Sequence, residues 1–244
     1  MQETDTIKKQ IFSIKSEEDF NTKALGIFHF QYIQNPVYHQ FVDGLGINNA
    51  SVKNYREIPF LPIGFFKLHK VVSGNFKPEA VFQSSGTTGM TTSHHFVKSI
   101  RLYEQSLLRG FNLFFGKPEN YIFLALLPSY LERTGSSLVH MADLLIRLSN
   151  DKNSGFYLHD YAKLSTILTR LKRQKKKVIL LGVTHALLDM AERFPLDFPG
   201  LILMETGGMK GKRREMVREE LHAILQSAFG VTNIFSEYGM TELL

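Results

Sequence analysis

Four short apolar runs bounded by turn residues limit what this chain can fold into: Tyr121-Ile122-Phe123-Leu124-Ala125-Leu126, Val178-Ile179-Leu180-Leu181-Gly182-Val183, Leu201-Ile202-Leu203-Met204 and Thr232-Asn233-Ile234-Phe235. A strand without polar alternation is covered on both faces, the situation of a parallel sheet with helices above and below. Between the runs, Leu164, Ile167, Leu168 and Leu171 recur at helical spacing behind Asp160, a residue suited to an N-cap. Val217, Leu221, Ile224, Leu225 and Ala228 do the same ahead of Gly230, which suits a helix end. Strand and helix signals in alternation predict an α/β fold with mainly parallel sheets flanked by helices. Residues 1–46 read as a helical N-terminal segment with aromatic anchors Phe28, Phe30, Tyr32 and Tyr38. Residues 47–244 read as the α/β core of the same domain, with no internal repeat or low-complexity linker.

Hydrophobic residues make up 43% of the chain, enough for a core in one large or two smaller domains, which excludes disorder. There is no cysteine, so these 244 residues hold no disulfide, thiolate metal site or cysteine nucleophile. A formal charge of +6, spread along the chain, gives no basic stripe of the kind nucleic-acid binding needs. The start, Met1-Gln2-Glu3-Thr4-Asp5-Thr6-Ile7-Lys8-Lys9, is polar where a secretory signal is apolar, and no stretch is long enough to span a bilayer. The expected location is the cytoplasm.

In open α/β sheets ligands bind at the carboxyl ends of strands, and three polar segments follow strand-like runs here. Gln83-Ser84-Ser85-Gly86-Thr87-Thr88-Gly89 follows Ala80-Val81-Phe82. Its small hydroxyls, unhindered N–H groups and glycines suit a phosphate cradle, although the same residues also build ordinary turns. The kinase and GTPase phosphate loop ends in Gly-Lys-Ser/Thr, whereas Gly89 precedes Met90-Thr91-Thr92, so that scheme does not apply. Glu205-Thr206-Gly207-Gly208-Met209-Lys210 follows the run at 201–204, and Glu237-Tyr238-Gly239-Met240-Thr241-Glu242 follows a strand ending near Ser236. The expectation is that these three strand ends converge on one nucleotide.

The order Ser/Ser/Gly/Thr/Thr/Gly, then Tyr-Gly-x-Thr-Glu, resembles the adenylate-forming superfamily of acyl-CoA synthetases, luciferases and peptide-synthetase adenylation domains. Ile58-Pro59-Phe60-Leu61-Pro62 and Leu127-Pro128-Ser129-Tyr130-Leu131-Glu132-Arg133 extend the likeness over most of the chain, towards the acyl-protein synthetase of the bacterial luminescence fatty-acid reductase complex and phenylacetate-CoA ligase relatives. The resemblance implies the N-terminal domain of such an enzyme, binding nucleotide and acyl group, and AMP-forming activation of a carboxylic acid followed by acyl transfer to a thiol. It implies ATP and Mg2+, with coenzyme A, a carrier protein or a partner reductase as thiol acceptor. By the same resemblance Ser84, Ser85, Gly86, Thr87, Thr88 and Gly89 hold the β- and γ-phosphates, and Gly207, Gly208 and Met209 form the turn beside the adenine. Tyr238, Gly239 and Met240 border the base, Thr241 hydrogen-bonds the α-phosphate, and Glu242 coordinates magnesium, so that Thr241 and Glu242 are the catalytic pair.

Two departures stand out. The phosphate loop continues as Thr91-Thr92-Ser93-His94-His95 instead of Pro-Lys-Gly, so the loop lysine is missing, and His94 or His95 is a candidate to take over its phosphate contact, against the commoner case of a packed or solvated histidine. The chain also ends two residues after Glu242, before the ribose-binding aspartate and the small C-terminal domain with its adenylation lysine that the resemblance implies, so a fragment with impaired turnover is expected. Alternative readings are a non-catalytic nucleotide- or acyl-binding subunit that docks a partner enzyme or carrier, and a general phosphate-binding transferase.

Lys210-Gly211-Lys212-Arg213-Arg214 crowds positive charge where a helix carrying Val217 and Leu221 would start, which the helix dipole disfavours. This makes Lys210, Lys212 and Arg213 candidate anion contacts, against a solvated first turn. Lys172-Arg173-Gln174-Lys175-Lys176-Lys177 ends a helix and needs no function, and neither His140 with Asp143 nor His159 with Asp160 makes a zinc set.

Overall fold

The computed structural model describes residues 11–84, 91–128, 135–209, 213–214 and 216–243. The chain forms two compact units, one running to Tyr103 and one spanning Glu104–Leu243. The helical segment expected through Gly46 is therefore only the first part of the first unit.

In that unit the first α-helix among the described residues is α1 (Glu17–Gln34), where the Ser16 hydroxyl accepts from Asp19 N–H and Glu17, Glu18 and Asp19 complement the helix dipole. Asn35 ends α1 and caps α2 (Pro36–Gly44), its side chain accepting from Tyr38 N–H at 3.2 Å, with proline at the start of the helix where no N–H is needed. Phe28, Tyr38, Val42 and Val52 form the core of this unit. The Tyr38 hydroxyl donates to Pro59 O at 2.7 Å, and burial pushes its pKa up to about 12. Beyond the one-turn helix α3 (Phe65–Leu68), strands β1 (Ala80–Gln83) and β2 (His94–Val97) pair antiparallel. This corrects the expectation that the run at 80–82 enters a parallel sheet. The connection, residues 84–93, is shorter than the dozen or so residues a parallel crossover needs.

Helix α4 (Ile100–Phe115) carries the chain into the second unit, where the expected parallel sheet is found. Strands β3 (Ile122–Leu126), β4 (Gly155–Phe156), β5 (Val178–Val183), β6 (Leu201–Thr206) and β7 (Ile234–Glu237) lie in the order β4-β3-β5-β6-β7, every pair parallel. Helices α5 (Ser137–Ser149), α6 (Tyr161–Arg173), α7 (Thr184–Arg193) and α8 (Arg218–Phe229) make the crossovers. The register aligns Leu124, Leu180, Leu203 and Ile234 on one face, where Leu164, Leu168, Leu187, Leu225 and Phe229 cover them. On the other face Phe123 and Ile179 pack with Leu145 beneath Phe111 and Met141.

Local chemistry explains the helix limits. The Asp160 side chain caps α6 by accepting from Lys163 N–H at 3.0 Å. Gly230, with φ +63°, closes α8 by donating its N–H to Gln226 O at 2.9 Å. Helix α8 begins at Arg218, not near Gly211, and Glu219 and Glu220 stand in its first turn. The dipole conflict expected from residues 210–214 therefore does not arise, and Val217, expected on the buried face, is 65% exposed just before the helix. Strand β7 is an edge strand with Phe235 exposed, and the two-residue β4 carries too little sequence pattern to be foreseen. Among the described residues no helix is long and apolar enough to cross a membrane.

An added Cβ at Gly230 would sit 1.9 Å from Asp197 Oδ1 and 3.0 Å from the Asp197 Cα, in a left-handed conformation. Gly230→Ala should lower stability by about 1–2 kcal/mol, measured as a shift of the denaturant midpoint at unchanged slope.

Candidate functional site at the carboxyl ends of β6 and β7

Pairing of β6 with β7 sets Glu205 opposite Ser236 and Thr206 opposite Glu237, so two of the polar segments singled out in the sequence emerge side by side. The Thr206 hydroxyl donates to Glu237 Oε2 at 2.5 Å, fastening the two strand ends together. Thr184, the first residue of α7 and 2% exposed, donates its hydroxyl to the Gly207 carbonyl and lies 3.4 Å from Glu205 Oε2. Gly207 has φ +67°, a conformation that turns the chain sharply where β6 ends and that a side chain would strain.

Two carboxylates are thus held at neighbouring strand ends. Glu205 is 7% exposed, and His222 of α8 brings Nε2 to 3.8 Å from its Oε1, within reach of charge attraction but too long for a hydrogen bond. Glu237 is half-buried, and loss of hydration raises its pKa above the ordinary glutamate value. The neighbouring Glu205 pushes in the same direction, while the Thr206 hydrogen bond pulls the other way.

Glu237 also lies in the wall of an apolar groove of about 700 Å³, formed by Phe111, Phe115, Met141, Met204, Phe235 and Tyr238 among others. The groove exists because α4 and α5 cover the sheet over β3 and β5, while Ile202, Met204 and Phe235 on the remaining strands are only partly covered. It is a concave apolar surface with few polar groups, the usual character of a small-molecule site.

Gly207 and Gly208 are exposed, whereas Met209 is 2% exposed and packed in the core, so it offers a ligand its backbone only. Tyr238 is 84% exposed, with Gly239 beside it, and its ring face is open. Met240, Thr241 and Glu242 are half-buried in a turn in which Leu243 N–H donates to Met240 O. Ser84 belongs to the first unit, where its hydroxyl accepts from Ser93 N–H at 2.9 Å and its own N–H donates to Ser93 O. Ser85, Gly86, Thr87, Thr88 and Gly89, like Lys210 and Lys212, lie outside the described residues. Arg213 is described, and its guanidinium is paired with Asp189 and Glu192. His94 stacks on Phe96.

Sequence reasoning gave no role to Thr184, Glu205, Glu237 or His222. A carboxylate as the last or next-to-last residue of a parallel strand was the available signal for Glu205 and Glu237. Thr184 and His222 become visible only when α7 and α8 are packed on the sheet. No protein-family model matches this chain, and no curated protein is significantly similar to it.

A raised carboxylate pKa means that the fold prefers the protonated acid. The contribution of Glu237 to stability is therefore greatest below the unfolded value and is lost as pH rises through the folded value. Glu237→Gln should be more stable than the parent at pH 7, and this advantage should shrink as pH falls through the raised folded value towards about 4.5, below which the difference stays constant. Thermal unfolding of both proteins across that range measures it.

Proposed function

We propose that this chain activates a carboxylic acid with ATP, forming an acyl-adenylate and pyrophosphate, and passes the acyl group to a thiol. One observation carries the reading. The glycine turn at 207–208 and the Tyr238-Gly239-Met240-Thr241-Glu242 segment, two of the three motifs, leave adjacent parallel strands fastened by the Thr206–Glu237 hydrogen bond. The apolar groove beside them supports an acid with an apolar body.

In the first step a carboxylate oxygen of the acid attacks the α-phosphorus, the bond to the β-phosphate oxygen breaks, and pyrophosphate leaves with the electron pair. In the second step a thiolate attacks the acyl carbon, the carbon–oxygen bond to AMP breaks, and a thioester forms. The exposed backbone at Gly207 and Gly208 admits the adenine closely, and the open ring face of Tyr238 offers it a stacking surface. Thr241 donates a hydrogen bond to the α-phosphate, where negative charge moves during the displacement.

Among the described residues no three acidic or histidine side chains gather as a metal cage. Mg2+ in nucleotide sites takes one or two carboxylates and completes its shell with phosphate oxygens and water, so the single carboxylate of Glu242 fits that mode. When bound, the ion would neutralise phosphate charge and orient the leaving pyrophosphate. The acyl acceptor is a thiol from outside the sequence, since these residues include no cysteine, and coenzyme A, a carrier protein and a partner reductase all supply one.

ATP–pyrophosphate exchange with a panel of aliphatic and aromatic carboxylic acids tests the reading. Exchange should depend on the acid, and Glu242→Ala should reduce it by about a hundredfold or more while the protein stays folded. Folded protein that binds ATP but exchanges with no acid would establish the non-catalytic subunit instead.

A further inference from the structure

Arg213 is occupied by protein carboxylates, and the helix that occupies it also holds the glycine turn. Its Nε donates to Asp189 Oδ1 at 3.1 Å, Nη1 to Glu192 Oε1 at 2.6 Å and Nη2 to Glu192 Oε2 at 2.8 Å, with Nη2 reaching Asp189 Oδ1 as well. Asp189 and Glu192 lie in the second half of α7, and the first residue of the same helix, Thr184, donates to the Gly207 carbonyl. Between these two attachments Met209 is buried in the core of the sheet. The segment that leaves β6 is thus fastened to α7 before and after its buried methionine.

The fork is more than a loose surface pair. Four N–H groups of a planar guanidinium meet two carboxylates, a geometry that lysine cannot reproduce. The Tyr161 hydroxyl of α6 stands 3.5 Å from the other oxygen of Asp189, so the acceptor is itself oriented. One positive charge faces two negative ones, which leaves Arg213 no surplus charge for a phosphate.

We infer that Arg213, Asp189, Glu192 and Thr184 form a two-point clamp by which α7 sets the position of the glycine turn, making Arg213 a positioning residue for the nucleotide and not a contact to it. This rests on the reading in the preceding subsection, in which residues 207–208 border the adenine. A turn whose backbone must approach a flat base closely works only if it is held in place, because glycine supplies no side chain to hold it. The clamp supplies this from outside the turn, through a helix that starts directly at the end of β5.

Two measurements on the same variants test it. By hydrogen exchange, Arg213→Ala should speed exchange of the amides at residues 207–209 by about tenfold and leave β3 and β5 unchanged, with Thr184→Val acting on the same amides. In ATP–pyrophosphate exchange, Arg213→Ala should raise KM for ATP by about tenfold, with kcat and KM for the acid within about twofold, and Arg213→Lys should fall between. If Arg213→Ala does not fold, Asp189→Asn is measured in its place. Unchanged amide exchange at 207–209 overturns the clamp whatever the enzyme does. Faster amide exchange with an unchanged KM for ATP overturns the positioning role. Absence of pyrophosphate exchange in the parent protein overturns the proposed activity and the positioning role with it, while amide exchange still decides the clamp.

Discussion

Burial of β5 on both faces is the constraint on which the second unit depends. All six residues of this strand are buried, and it is hydrogen-bonded to β3 on one side and β6 on the other. A strand so enclosed has no polar face to spare, so its side chains face helix on either side, and the polar groups of the unit are displaced to its ends. The carboxyl end of the sheet is where they gather. Thr184 follows β5 directly, Glu205 and Thr206 close β6, and Glu237 closes β7. The site is a consequence of where a parallel sheet can tolerate hydrogen-bonding side chains.

Much of this was legible in the sequence because it follows from patterns along the chain. The apolar runs at 121–126, 178–183 and 201–204 identified β3, β5 and β6, and Asp160 and Gly230 marked the ends of helices that close as those residues suggest. What could not be read depends on partners distant in sequence. The run at 80–82 looks like any short buried strand, and only the tight link to β2 makes it antiparallel. Residues 210–214 were placed at the start of the helix carrying Val217 and Leu221, yet α8 starts at Arg218 with its own acidic first turn. In the site, Tyr238, Thr241 and Gly207 stood out by motif, while Thr184 and the partners of Arg213 needed the packing of α7 to appear.

Glu237 illustrates how a candidate site position stands against stability. Its carboxylate is held partly away from water, close to the buried carboxylate of Glu205, and among the described residues it is the Thr206 hydroxyl that favours its charged form. A chain selected for stability alone would place an amide or an apolar residue there. Keeping an acid at the junction of a polar strand end and an apolar groove leaves a charge-bearing group beside the space where a ligand with both characters would sit.

The clasp between Ser84 and Ser93 gives the Ser/Thr/Gly segment a property separate from its chemistry. Both ends of the connection are fastened at one point, by Ser84 N–H to Ser93 O and by Ser93 N–H to the Ser84 hydroxyl. The entropy of closing a loop grows only with the logarithm of its length, so residues inserted or exchanged inside a fastened loop add little further penalty. The ribbon of β1 and β2 therefore insulates the rest of its unit from variation in that segment. A change of loop length between Ser84 and Ser93 should therefore leave the pairing of β1 with β2 in place.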